Sequence, residues 1–480
     1  MRKPAFVSFL LAFSSFSFSQ NISGNWQGNI DVNGQKILVV FHFYKDIAGQ
    51  IVGKWDCPPQ NAKNLPCGEI VLKNDSVKVG LPVISGFYEG TFIGVDSITG
   101  MWHQGPGKFV LNIVKTGNDA AFVLPKRPQT PKPPFDYEVK EVTYSNANKT
   151  MRYGATFTKP FSKVPADSKK YPAVVLITGS GKQDRDENIF DHKPFAVIAD
   201  DLTKRGIAVL RFDDRGMGQT TGDFDTSSTE DFAGDVEAAI KYLESRKDVD
   251  THRIGLIGHS EGGIIAPMVA ARNNQVAFIV MLAGTGVPGN VINDYQNALP
   301  LQKAGFKDDI VQKFLELHRA LIKAATSYVN PNDYKKEVSK IYYDWKKKQT
   351  PETIRELIKT TDETTISTLQ NKYGAFHTKW WKFFLTYDPT KDLEKISIPV
   401  LVLNGEKDIQ VDPKINLSLI EKALKKSKSK NYKVLELTGL NHLFQHCNAC
   451  TTEEYGTLEE TFAAEALKIM GSWIEEVVKQ

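Results

Sequence analysis

Cysteine is scarce here: four residues in a chain of 480. That is too few for a scaffold held mainly by disulfides, although it suits an oxidising compartment. Long apolar runs are missing as well. The stretch from Ala5 to Phe13 is too short to span a bilayer, and no other segment reads as transmembrane. Charge of one sign is also lacking. The chain carries 60 basic and 56 acidic side chains, a formal charge of +4, and loss of Arg2 and Lys3 with a leader halves that excess. Such a balance gives no argument for a nucleic-acid partner. With 41% hydrophobic and 24% charged residues the composition is that of a soluble globular protein, and its length calls for two domains plus an insertion. No acidic residue precedes Asn21. Arg2-Lys3 makes a basic start, the apolar stretch follows, and Ser17-Phe18-Ser19 fits a small-x-small cut. Residues 1–20 therefore read as a signal peptide with no nearby cysteine to accept lipid, and the protein is expected in the periplasm or outside the cell.

The most informative run is Gly258-His259-Ser260-Glu261-Gly262. It follows a short apolar strand pattern (Arg253 to Ile257) and leads into the helix-length apolar segment Ile264 to Ala271. That strand–turn–helix context is what a G-x-S-x-G nucleophile elbow needs. The turn is so tight that small residues must flank the serine, leaving the Ser260 hydroxyl exposed above the sheet. Glu261 opens the helix, so its N–H points where an oxyanion forms. A serine needs a base and an orienting acid, which in this architecture follow it along the chain. Ile398 to Leu403 reads as a buried parallel strand that runs into Asn404-Gly405-Glu406-Lys407-Asp408, placing Asp408 beyond a strand's carboxyl end. The next strand pattern, Tyr432 to Leu437, is followed by Gly439-Leu440-Asn441-His442. Asp408 and His442 are thus the expected acid and base, with Glu406 and His446 as their alternatives. A second oxyanion donor is expected after Tyr171 to Ile177, where Thr178-Gly179-Ser180-Gly181 lets main chain approach a carbonyl. The Ser180 N–H is the first choice, and Gly179 or Gly181 the fallback. Lys182 to Glu187 reads equally as a solvated loop or as a brace beside the site. Asp213-Asp214-Arg215-Gly216 reads as an ion-paired loop at its rim.

On these motifs the chain from about Tyr137 onward resembles a bacterial serine esterase of the α/β-hydrolase superfamily. Its Gly179-Ser180-Gly181-x-x-Asp184-Arg185-Asp186-Glu187 loop is similar to that of secreted or periplasmic carboxylesterases with a small β-rich domain ahead of the catalytic one. The resemblance implies Ser260 as nucleophile, Asp408 as acid and His442 as base; the modest charge and a helical insertion over the site suggest a small or medium uncharged ester. The resemblance implies no metal or organic cofactor. Peptidases, acyl-CoA thioesterases and dienelactone hydrolases share the elbow, so a peptide or thioester substrate stays open. So does a non-catalytic binding protein.

Punctuation divides the rest. Residues 21–117 alternate apolar and polar side chains between turns such as Asn33-Gly34, giving an antiparallel β domain, barrel or sandwich. Gly-x-Trp occurs at Trp26, Trp55 and Trp102, as core filling or as a ligand platform. Residues 118–136 hold five prolines between Pro125 and Pro134 and read as an extended linker. Residues 137–480 alternate strand and helix patterns, as in an α/β fold with a mostly parallel sheet. Residues 290–387 interrupt that alternation as a helical cap whose Trp380, Trp381, Phe383 and Phe384 line a substrate pocket or hold the cap together. For the cysteines, Cys57–Cys67 and Cys447–Cys450 are the expected local pairs. A zinc site from His446, Cys447 and Cys450 is the alternative.

Overall fold

A computed structural model describes residues 22–479 apart from 33–34, 47–48, 61, 106, 117–125, 162–169, 329 and 453. The expected leader, the Asn33-Gly34 turn and the first part of the linker lie outside the described residues. The chain divides into two compact units, Met1–Leu124 and Pro125–Gln480.

The first unit is one antiparallel sheet of ten strands. Trp55, near one end of the strand order, and Val77 and Val79, near the other, belong to a single core, so the sheet curls around its own buried face. Trp26, Trp55 and Trp102 are all within that core, and the Trp55 and Trp102 rings meet edge to face at 5.3 Å. These tryptophans fill the interior rather than form a platform. The expected Cys57–Cys67 bridge is not formed; both are free thiols. The strand register explains why. Cys57 faces Ala62, whereas the Cys67 N–H bonds the Gly53 carbonyl four residues back along the same strand. At about 3.3 Å per residue that separates the two thiols by roughly 13 Å, about twice a disulfide's Cα span.

The second unit has the α/β-hydrolase fold. Its eight strands are β1 (Tyr137–Ser145), β2 (Arg152–Pro160), β3 (Tyr171–Ile177), β4 (Ala208–Phe212), β5 (Val249–His259), β6 (Val276–Leu282), β7 (Val400–Gly405) and β8 (Tyr432–Leu437). They are ordered β1-β2-β4-β3-β5-β6-β7-β8, antiparallel as far as β4 and parallel from there. Strands buried on both faces explain the near-continuous apolar runs at β3, β6 and β7. Alternate residues face opposite ways: Ala173, Val175 and Ile177 pack in one core, Val174 and Leu176 in the other. The first core is covered by α2 (Thr229–Glu244), α3 (Gly262–Ala270) and α11 (Pro413–Lys426). The second is covered by α1 (Pro194–Lys204) and α12 (Ala464–Val477).

Between β6 and β7 the chain leaves the sheet for α4 (Gly289–Lys303), α5 (Asp308–Ser327), α6 (Pro331–Lys346), α7 (Pro351–Leu357), α8 (Asp362–Gly374) and α9 (Lys379–Phe384), then α10 (Thr390–Leu393). Leu321, Tyr334, Val338, Trp345, Tyr373 and Phe376 give these helices a core of their own. Among the described residues no helix is long and apolar enough to cross a membrane.

Burial pushes the Cys57 and Cys67 thiols up to about 11 and about 12, so few thiolates are present at neutral pH. Alkylation without reductant should be slow in the folded protein. After denaturation it should label both Cys57 and Cys67 while the Cys447–Cys450 peptide stays crosslinked. Mass spectrometry that found a Cys57–Cys67 crosslink would contradict this strand register.

Candidate active site

β5 ends at His259, and the next residue, Ser260, holds a left-handed backbone with φ of +52°. A non-glycine residue pays about 1–2 kcal/mol for that conformation, so the surroundings must enforce it. Ser260 N–H donates to the Leu282 carbonyl at the end of β6 (2.8 Å), and the Ser260 carbonyl accepts from Gly263 N–H (2.9 Å). The flanking glycines are needed for space. A Cβ on Gly258 would strike the Gly262 carbonyl, and one on Gly262 would strike the Ile177 carbonyl.

The loops after β7 and β8 bring Asp408 and His442 together. His442 Nδ1 lies 2.7 Å from Asp408 Oδ2, and both side chains are buried. Asp408 Oδ1 also accepts the N–H groups of Gln410 and Val411, at 2.8 and 2.9 Å, which fixes the carboxylate. Asn441 Oδ1 accepts from Leu443 and Gln445 N–H, both at 3.0 Å, and so holds the turn that carries the imidazole. Ser260 and His442 line one cavity of about 440 Å³. Among the described residues no hydrogen bond yet joins the Ser260 hydroxyl to His442; such contacts commonly tighten only when substrate is bound.

The two alternatives lie elsewhere. Glu406 accepts from Gly439 N–H (3.0 Å) and pairs with Lys407, not with the imidazole. His446 is exposed between Glu460 and Glu465. Cys447 and Cys450 form a disulfide just past His442, so their sulfurs are not free as thiolate ligands for zinc.

Ser180 lines the cavity, and so does Glu261, the N-cap of α3. The Gly179 N–H is occupied, donating to Glu187 Oε1 at 2.7 Å, which removes that fallback. Lys182 to Glu187 proves to be a brace. Arg185 pairs with Asp213 and Glu141, Asp184 caps the N–H groups of Asp186 and Asn188, and Glu187 is 1% exposed. The Asp213-Asp214-Arg215 loop is ion-paired through Asp213–Arg185 and Arg215–Asp235 (2.7 Å).

The carboxyls of Glu261 and Asp214 carried no separate signal in the sequence, whereas Trp380 is one of the cap aromatics expected to line a pocket or hold the cap together. The Glu261 carboxyl, 3% exposed, accepts from Thr229 Oγ1 and Trp380 Nε1, both at 2.7 Å, and from the Ser180 hydroxyl; burial outweighs these bonds and raises its pKa. Trp380 brings α9 into the cavity wall together with Trp381 and Phe384. Asp214 accepts from Thr178 Oγ1 (2.8 Å) and Gln183 N–H (2.7 Å). Burial, reinforced by Glu261 and Glu187, pushes it up to about 7 against those bonds.

The family described as serine aminopeptidase, S33, matches residues 192–445. Esterase EstD of Thermotoga maritima is 26% identical over 281 residues, covering 58% of this chain and 56% of its own length. A bifunctional esterase/perhydrolase of Acinetobacter calcoaceticus is 26% identical over 280 residues, covering 53% of this chain and 84% of its own. A solved Pyrococcus furiosus esterase is 12% identical, with a TM-score of 0.42 over 75% of this chain and 98% of that one.

Asp214 has a sign that can be tested. Its folded pKa, about 7, lies above the ordinary 3.8, so its contribution is full at low pH and is lost as pH rises through about 7. The stability of wild type relative to Asp214→Asn should therefore fall by roughly 1–3 kcal/mol between about pH 5 and about pH 8 in urea titrations. A difference that is flat across that range would show that this carboxyl is already ionised at pH 5.

Proposed function

The chain belongs to the serine aminopeptidase S33 family of hydrolases, and on that premise we propose that it is an exported serine carboxylesterase working through an acyl-enzyme. The observation that carries this reading is the buried His442–Asp408 pair on the same cavity as a serine held in a left-handed elbow. His442 Nε2 takes the Ser260 proton as Oγ attacks the ester carbonyl, and Asp408 stabilises the imidazolium. The N–H groups of Glu261 and Ser180 hold the oxyanion, each worth about 3 kcal/mol. The imidazolium gives its proton to the departing alkoxide. Water, deprotonated by the same ring, then cleaves the acyl-enzyme and releases the acid.

The substrate reading is a small or medium uncharged ester. No lysine or arginine lines the cavity among the described residues, so an anionic substrate finds no partner. Trp380, Trp381 and Phe384 offer apolar surface instead. The curated relatives named as esterases favour the same bond. An aminopeptidase reading is favoured by the family's description; it needs a free acceptor for a substrate amine. Glu187 and Glu261, the carboxyls on the cavity, are engaged by His259 and Gly179, and by Thr229 and Trp380. Export is supported by the basic and apolar leader and by the Cys447–Cys450 disulfide. In this reading the β-rich unit is an accessory domain joined by the Pro-rich linker.

Assays on nitrophenyl esters from acetate to octanoate, beside aminoacyl nitroanilides, separate the two. Ester turnover should dominate. Ser260→Ala and His442→Ala should each lower kcat by about 10⁴-fold or more, and Asp408→Asn by on the order of 10⁴. Glu406→Gln should stay within roughly twofold, since it touches no reacting group. Full ester hydrolysis by Ser260→Ala would overturn the assignment.

A further inference from the structure

His259, just before the nucleophile, has no role in the chemistry above, yet its surroundings are the most tightly specified in the site. The ring is buried. Its Nδ1 lies 3.0 Å from Glu187 Oε1, and its Nε2 lies 3.0 Å from the main-chain carbonyl of His442. A carbonyl only accepts, so Nε2 carries a proton. On the other side, Glu187 Oε1 already accepts the Gly179 N–H, and among the described residues the ring is the only cationic group paired with this carboxylate. A carboxylate sealed from water needs such a partner. Both ring nitrogens therefore face acceptors, the arrangement that an imidazolium satisfies. Burial opposes the charge, but Glu187, its hydrogen bond, the His442 carbonyl and Asp408 outweigh it and raise the His259 pKa.

The backbone gives a second, independent sign. Glu187 sits at φ of +51°, a left-handed conformation that a glutamate adopts only under constraint. The Asp184 cap and the Arg185–Asp213 pair impose it and turn the carboxylate inward. The His259 and His442 rings lie 4.8 Å apart between centroids.

Resting on the esterase reading, we infer that Glu187 and His259 are positioning residues: a buried ion pair that ties the oxyanion loop, the nucleophile strand and the base's main chain together, and that sets a fixed positive charge against His442. The charged neighbours are few. Asp408 faces His442 from the loop after β7, 2.7 Å from its Nδ1. His259 faces it from the end of β5. Glu187 on the oxyanion loop balances His259. Asp214, after β4, and Glu261, at the start of α3, are the further carboxyls beside Glu187 among the described residues. An imidazolium at His259 opposes a second positive charge on the adjacent His442 ring.

Two measurements test this. The first needs no catalysis: ¹⁵N NMR of the histidines in the full-length Ser260→Ala protein. His259 should carry two ring protons at about pH 7.5, where an unperturbed imidazole carries one. The second is the pH profile of kcat/KM on p-nitrophenyl acetate. Glu187→Gln removes the counter-charge and leaves His259 neutral, so the acidic limb should move up by on the order of one pH unit. Glu187→Asp should restore part of that shift, which a purely structural defect would not do. A singly protonated His259 in the Ser260→Ala protein, or an acidic limb unmoved in an active Glu187→Gln enzyme, would overturn the inference. Failure of the esterase reading looks different: Ser260→Ala would keep its hydrolysis whatever the proton count on His259.

Discussion

The site depends first on a contact between two stretches of main chain. At the elbow, β5 turns into α3 with nothing but hydrogen on Gly258 and Gly262, and neither position has room for a methyl group. That close approach forces Ser260 into a left-handed conformation and lifts its side chain out of the sheet. The strain of about 1–2 kcal/mol is held by hydrogen bonds to neighbouring chain, one of them from Ser260 N–H to the carbonyl of Leu282. Ser260 is therefore registered against β6 as well as its own strand. Because β7 and β8 are laid in parallel beside β6, the loops carrying Asp408 and His442 emerge at the same edge. One local crowding and one strand order together determine which edge of the sheet carries Ser260, Asp408 and His442.

Features of this kind are legible in a sequence because their causes lie within a few residues. Gly258, Ser260 and Gly262 have to be spaced as they are for the turn to close. The runs at β3, β6 and β7 are apolar because both faces are covered. Asp408 and His442 each follow a strand directly. What could not be read were partnerships between residues far apart. Glu187 meets His259 across 72 positions and Glu261 meets Trp380 across 119. Nothing near Glu187 marks it as buried, so a run of six polar residues reads equally as solvated loop or as brace. The cysteines show the opposite error. Cys57 and Cys67 are close in sequence, but antiparallel register, invisible without the hairpin's geometry, sets them apart along one strand.

Electrostatics around the oxyanion loop raise a problem that the fold has to solve. Three carboxyls, Glu187, Asp214 and Glu261, hold the segment from Thr178 to Gln183 in place, beside the point where the proposed reaction develops negative charge. Three full charges there would oppose catalysis. The structure blunts them in different ways. Glu187 is matched by His259. Asp214 and Glu261 are pushed towards their neutral forms by burial. The loop thus keeps its acceptors for main-chain N–H and hydroxyl groups without presenting their whole charge to the oxyanion.

Glu261 carries this logic into the cap. Its Oε1 receives both Thr229 of α2 and the indole N–H of Trp380 on α9. The adjacent Lys379 reaches back to Asp231 near the start of α2, at 2.6 Å. The helix that walls the cavity is therefore docked on the residue following Ser260 rather than merely packed above it. Glu261 has two duties: its N–H belongs to the proposed oxyanion hole, and its carboxyl anchors the aromatic wall. A shift of α9 would have to break a part-buried hydrogen bond to the elbow, and any rearrangement of the elbow would be felt by the indole. Pocket shape and oxyanion geometry are mechanically one unit, so a substitution at Trp380 should act on turnover as well as on substrate size, even though the indole touches no reacting atom.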